Sequence, residues 1–347
     1  MNIRRIFIFP AALVLALAAG YSLLWLLAAQ RIEEGFRDWA RAQATQGVTV
    51  DYRTLAVSGY PAVVRLAIPE PRFASARNGW QWSAAHADLE MRAWNWWVYR
   101  LDIFGEQQIA VPVNGTVQNL SARADTAFVV AEADNRGRVS KAVLQVAGLR
   151  LGDAAGGEIL SAATLVGTTG MPDRKAIAQD RNALDLTLRA TGVQLGPPVE
   201  SPLGPRIEAL SLAATVKGAL PGTLTRDDVD SWRRDGGTID LNQFHLTWAA
   251  LDLRATGTMA LDERMRPLGA LSAEIRGYGE TLIALEQARV LPRQTVAGSR
   301  LALDLLSRRD EADGRRVVTM PLSAQGGAVF LGPIRMVGLE PIPFPAR

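Results

Sequence analysis

The pattern of hydrophobic and polar positions changes period twice along this chain. Residues 6 to 29, IFIFPAALVLALAAGYSLLWLLAA, carry no charge over 24 positions. At 1.5 Å per residue a helix of that length runs about 36 Å, against roughly 30 Å of bilayer hydrocarbon. The run predicts a transmembrane or signal-anchor helix within residues 1–30. Next, Ile32, Phe36, Trp39 and Gln43 recur at intervals of four, three and four, and Gly47 follows as a stop. That spacing predicts an amphipathic juxtamembrane helix over 31–47. From Val48 the period falls to two: Val48, Val50 and Tyr52 alternate with other residues, as do Ile109, Val111 and Val113, then Leu184, Leu186, Leu188 and Ala190, then Phe244, Leu246 and Trp248. Such alternation predicts half-buried strands through most of residues 48–347.

Turn chemistry separates these runs at Asp134 to Gly137, Gly152 to Gly157, Gly196 to Pro205 and Gln325 to Gly327, which points to hairpins of an antiparallel sheet. Few helices interrupt it. Thr225 with Asp228 three residues on resembles a capping box opening a helix near 225–235. Leu282, Leu285, Ala288, Leu301 and Leu305 lie on apolar stripes on either side of Pro292, which predicts a late helical hairpin over 279–307. The expected fold is therefore mainly β with a few helices, an N-terminal transmembrane helix followed by a large curled, trough-like antiparallel sheet.

Charge places the chain rather than describing its chemistry. Arg4 and Arg5 precede the apolar run and no acid occurs before residue 33, so the positive-inside rule predicts a cytoplasmic N-terminus, a single pass of the inner membrane and a periplasmic C-terminal domain. A signal cleaved after the Ala16-x-Ala18 site competes, but it would leave the apolar Tyr21–Ala29 on the mature end. The chain beyond Arg5 carries 36 cations and 35 anions, which lacks the electrostatic footprint of a nucleic-acid binder. With no cysteine there is neither a disulfide nor a lipoprotein attachment.

Candidate catalytic chemistry is sparse. The two histidines, His86 and His245, are too few for a zinc site without carboxylates, and no nucleophile elbow, P-loop, dinucleotide fingerprint or zinc-protease motif occurs. The expectation is a protein without catalytic residues, metal or cofactor. Trp80, Trp82, Trp94, Trp96 and Trp97 fall within 18 residues, a cluster that suits core packing, a membrane interface or a sugar-stacking platform. Trp80, Trp82 and Ala84 alternate, and Ala85, Ala87, Leu89 and Met91 continue on the shifted phase, as across a bulge.

Several ordered motifs look like those of one bacterial family. Gly59-Tyr60-Pro61, with Pro71-Arg72-Phe73 beyond the next strand, opens the series; Leu246-Thr247-Trp248, Arg266-Pro267-Leu268-Gly269 and Ile275-Arg276-Gly277-Tyr278 continue it; Pro321-Leu322-Ser323 and Phe330-Leu331-Gly332-Pro333 close it. Together they resemble domain-of-unknown-function family 2125, single-span proteins with a β-rich exported domain. Ala62 departs from the aromatic residue that more often follows the proline there. The resemblance brings no catalytic residue; it implies a plan similar to envelope proteins of the AsmA type, which are thought to handle lipids with grooved sheets.

Independently of that resemblance, strands with one dry face need a cover, and the few helices are too small for it. The expected filler beside a membrane is an amphipathic lipid, held against Leu184, Leu186, Leu188, Phe244, Leu246 and Trp248. The alternatives are a non-catalytic scaffold for other envelope proteins and a sugar- or cell-wall-binding module. The expected partners are thus the bilayer itself and a lipid ligand or envelope proteins.

Overall fold

The structure, a computed structural model, describes residues 3–113, 116–134, 137–171, 182–197, 199, 201–219, 225–310, 314–332 and 334–342. The chain is mainly β: nineteen strands, all their described pairings antiparallel, against four helices among the described residues. It divides into two compact units, Met1–Asn119 with Thr126–Val139, and Leu120–Asp125 with Ser140–Arg347.

The first unit begins with one unbroken helix, α1 (Ile3–Thr45), which runs through the expected boundary at residue 30. Its strands are β1 (Val48–Asp51), β2 (Ala56–Ser58), β3 (Val64–Pro69), β4 (Arg72–Ser75), β5 (Trp80–Arg92), β6 (Asn95–Val113), the start of β7 (Thr116–Arg123), and β8 (Thr126–Ala133). β5 pairs with β3, β4 and β6, and β6 pairs with β8. On the apolar face Val64, Leu66 and Ile68 of β3 stand opposite Met91, Leu89 and Ala87 of β5. Against them pack Trp25, Ala28, Ala29 and Ile32 of α1, with Phe36 beside them. That set repeats at helical spacing and continues the periodicity of the juxtamembrane segment back into the uncharged run. Three residues read as part of the membrane segment, Trp25, Ala28 and Ala29, thus belong to the unit's core: the last turns of the apolar run pack on protein, whereas Leu13, Val14, Leu15, Leu17 and Leu23 stay exposed.

The shift of phase in β5 is a bulge: register slips between Ala84 and His86 opposite β6. Ala85 is exposed there rather than on the apolar phase, and Gly105 across from it has φ +75°, where a side chain would press on Ala85 at 2.9 Å.

The second unit is a meander of β9 (Val139–Asp153), β10 (Glu158–Gly170), β11 (Asn182–Leu195), β12 (Arg206–Lys217), β13 (Thr238–Trp248), β14 (Leu251–Leu261), β15 (Pro267–Arg276), β16 (Arg308–Arg309), β17 (Arg316–Gln325), β18 (Ala328–Leu331) and β19 (Ile334–Gly338). The segments 152–157, 196–205 and 325–327 each lie between neighbouring antiparallel strands; residues 198 and 200, and residues 135 and 136 of the fourth expected turn, lie outside the described residues.

Helix α2 (Arg226–Arg234) starts where the capping pattern placed it, with the Thr225 hydroxyl accepting from the Asp228 backbone N–H. The late hairpin is α3 (Tyr278–Gln287) and α4 (Arg293–Leu306). The apolar stripe expected on α4 is corrected: Val296 and Leu303 are buried, while Leu301 and Leu305 face outward at 65% and 79% exposure. Tyr278 donates to Asp304 at 2.8 Å and Arg316 reaches the same oxygen at 3.0 Å, tying α3, α4 and β17 together. These bonds, the tyrosine's first, hold the Asp304 carboxyl below the usual carboxylate range.

Candidate functional site

The register of the second unit decides which side chains share a face, because residues directly opposite on antiparallel strands point the same way. Leu188 stands opposite Leu212, which stands opposite Phe244, and the row continues through Ala255 and Ala273 to Met320. One step along, Leu186 continues through Ala214, Leu241, Gly257 and Leu271 to Leu322. Leu184 opens a third row through Val216, Ile239 and Met259. Leu246 sits between Leu210 and Leu253, and Trp248 between Ile207 and Leu251. All six residues expected as lining therefore lie on a single apolar face.

The bulge at Asn242–Gln243 is what brings Leu241 onto it. Register slips there against both neighbours, so Leu241 and Phe244, three residues apart, face the same way. Strict alternation from Phe244 would have placed Leu241 on the opposite side, and no signal short of the register reveals it. Asn242 turns to the polar side and donates to Thr215 at 2.9 Å.

Among the described residues, cover on this face is partial. Helix α2 packs Val229 and Trp232 over Val216, Ile239 and Leu261. The α3–α4 hairpin covers Leu253, Ile275 and Val318 with Tyr278, Leu282 and Leu303. Between those patches Leu186, Leu188, Leu212, Phe244 and Leu246 remain only half-buried. Trp248 is anchored by its indole N–H, which donates to the Gly204 carbonyl at 3.0 Å.

The reverse face is polar. Arg189, Ser211, His245, Arg254 and Glu274 form a cross-strand row. A depression of about 570 Å³ opens over β13 to β15, lined by Gln243, His245, Arg254, Thr256, Ser272 and Glu274 along with Phe244 and Ala255. This depression lies on the face opposite the expected lining. His245 lies 3.1 Å from Asp252, and His86 of the first unit 2.7 Å from Asp88. Among the described residues no three histidine or carboxylate side chains converge as a metal site would require.

The motif Gly59-Tyr60-Pro61 serves another purpose. It forms the turn between β2 and β3 and docks on α1: the Tyr21 hydroxyl donates to the Pro61 carbonyl, Ser22 Oγ and the Tyr60 hydroxyl are 2.9 Å apart, and Trp25 Nε1 donates to the Val63 carbonyl at 2.9 Å. The Trp25 and Tyr60 rings meet edge to face, 5.5 Å between centroids. Gly59 has φ +99°, and a Cβ there would lie 2.7 Å from the Val63 carbonyl oxygen, so the turn requires glycine. Gly332, also at positive φ, places its N–H on the Pro321 carbonyl at 2.8 Å; Pro333 lies outside the described residues.

A family model described as "Uncharacterized protein conserved in bacteria (DUF2125)" matches residues 25–340, nearly the whole chain. The chain belongs to this family. The match begins at Trp25, the residue through which α1 enters the core of the first unit. No curated protein and no solved structure matches the chain.

Proposed function

We propose that this DUF2125 protein is a non-catalytic, membrane-tethered periplasmic protein whose second unit takes up an acyl chain or similar amphipathic lipid on the apolar face of β11 to β13. One observation carries the reading: among the described residues, the contiguous rows through Leu186, Leu188, Leu212, Phe244 and Leu246 stay only half-buried between α2 and the α3–α4 hairpin. Water is a poor cover for such a surface. A chain carrying a helix long and apolar enough to cross a membrane has lipid as its most concentrated apolar neighbour. Each buried methylene contributes about 0.8 kcal/mol, so ten contribute roughly 8 kcal/mol before ordering costs, enough for lipid to copurify.

Photo-crosslinking tests this face against its reverse. A benzophenone amino acid at Leu186 or Phe244 of the full chain in membranes is expected to crosslink lipid, whereas the same probe at Thr187 or Gln243, on the other face, is not. Leu186→Asp should abolish lipid occupancy with the circular dichroism spectrum retained. Equal labelling of the two faces, or none at Leu186 and Phe244, removes the lipid reading in favour of a scaffold.

A further inference from the structure

We propose that the first unit sits directly on the membrane that α1 spans, through an aromatic collar of Tyr21, Tyr60, Trp94 and Trp97 lying in the headgroup layer of the adjoining leaflet. The inference rests on reading α1 as a retained span. It adds to the span a second membrane contact, made by the Gly59–Pro61 turn and the β5–β6 hairpin beside Tyr21.

Lengths along α1 leave no gap between the membrane and the unit. About 20 helical residues cross the hydrocarbon, so a span that begins at Ile6, just after Arg5, ends near Trp25. The first contacts of the unit with α1 are already at Tyr21 and Ser22. Stopping the hydrocarbon short of Tyr21 would leave 15 residues, about 22 Å of helix, to cross roughly 30 Å. The Gly59–Pro61 turn and the β5–β6 hairpin tip, whose Trp94 ring lies 6.5 Å from that of Tyr21, must therefore lie at the depth where hydrocarbon gives way to headgroups.

The side chains at that depth have the matching chemistry. Trp94, Tyr60 and Trp97 are 60%, 55% and 49% exposed, a concentration of large aromatics that water does not favour but that membrane interfaces do, since each ring combines an apolar body with a polar group. Arg92 stands over Trp94 at 6.0 Å. Arg31 stands over Trp96 at 5.1 Å and is six residues past Trp25, about 9 Å further from the hydrocarbon. Both guanidinium groups are thus placed at the level of lipid phosphates. The tryptophan cluster of the sequence divides accordingly. Trp82 belongs to the opposite end of β5, where it stacks on Phe73, itself edge-on to Trp39.

The chain has no cysteine, so single-site labelling of the full protein is direct. Cysteine placed at Leu17, Asn95 or Ala76, the last in the turn beside Ala40 and Ala44 of α1, is labelled with an environment-sensitive fluorophore. The protein is then reconstituted into phosphatidylcholine–phosphatidylglycerol vesicles containing lipids with a nitroxide at either a deep or a shallow position. The expected result is quenching at position 17 by the deep nitroxide, quenching at 95 by the shallow one, and several-fold less at 76. Quenching at 17 with none at 95 overturns the collar while the span stands. Absence of quenching at 17 overturns the span and the collar together.

Discussion

Asp240 shows how much a single side chain contributes on the polar face. Its carboxyl receives the Lys217 ammonium at 2.6 Å and the Thr258 hydroxyl at 2.8 Å, and these hydrogen bonds, the lysine's first, hold its pKa below the usual carboxylate value despite some desolvation. A carboxylate with a folded-state pKa below its unfolded value stabilises the fold fully above the unfolded pKa, near 3.9, and loses that contribution as pH falls through the lower folded value. Asp240→Asn should therefore lower stability by roughly 0.5–1 kcal/mol at pH 6 to 7. The difference from the parent chain should shrink as pH falls below the unfolded pKa and through the lower folded one. Thermal melts across that range check it; a constant difference at every pH contradicts it.

At the scale of elements, α1 does two jobs in consecutive turns. Ala28 is fully buried and Ala29 nearly so, each opposite the β3–β5 face; small residues there let the helix backbone approach the sheet closely. Ala28→Leu forces extra volume into that contact and should destabilise the first unit by about 1–3 kcal/mol. Leu27→Ala, on the exposed side of the same turn, should leave it unchanged. Hydrogen exchange reads the difference: faster exchange in β3 and β5 for Ala28→Leu alone, with β11 to β14 unaffected in both. Equal effects of the two substitutions would mean that α1 is not seated on the sheet as described.

For the whole molecule, the proposed orientation rests on Arg4 and Arg5 on one side of the apolar run and Gln30, Arg31, Glu33 and Glu34 on the other. A C-terminal alkaline phosphatase fusion is expected to be active and a cytoplasmic reporter at the same site silent. The reverse pattern refutes the periplasmic placement, and a mature chain starting near Ala19 refutes the retained anchor.

The sequence alone determined the properties that depend on local period and local chemistry. The long apolar helix, the strands from Val48 onward, the Thr225 cap, the Pro292 break between α3 and α4, and the shared face of Leu184, Leu186 and Leu188 were all legible, because alternation and capping act within a few residues. Only the tertiary structure decided what depends on partners distant along the chain. Trp25, Ala28 and Ala29 read as lipid-facing because an apolar helix surface looks the same whether it meets acyl chains or β3. Leu301 and Leu305 read as inward-facing because a stripe does not state which side of a hairpin its sheet will occupy. Leu241 joins the apolar face through a bulge that shows itself only in the register against β12 and β14. Tyr60 and Trp94, far apart in sequence, meet Tyr21 only when the chain folds back along its own helix, because the residues that bring them together lie on separate strands whose pairing no local pattern encodes.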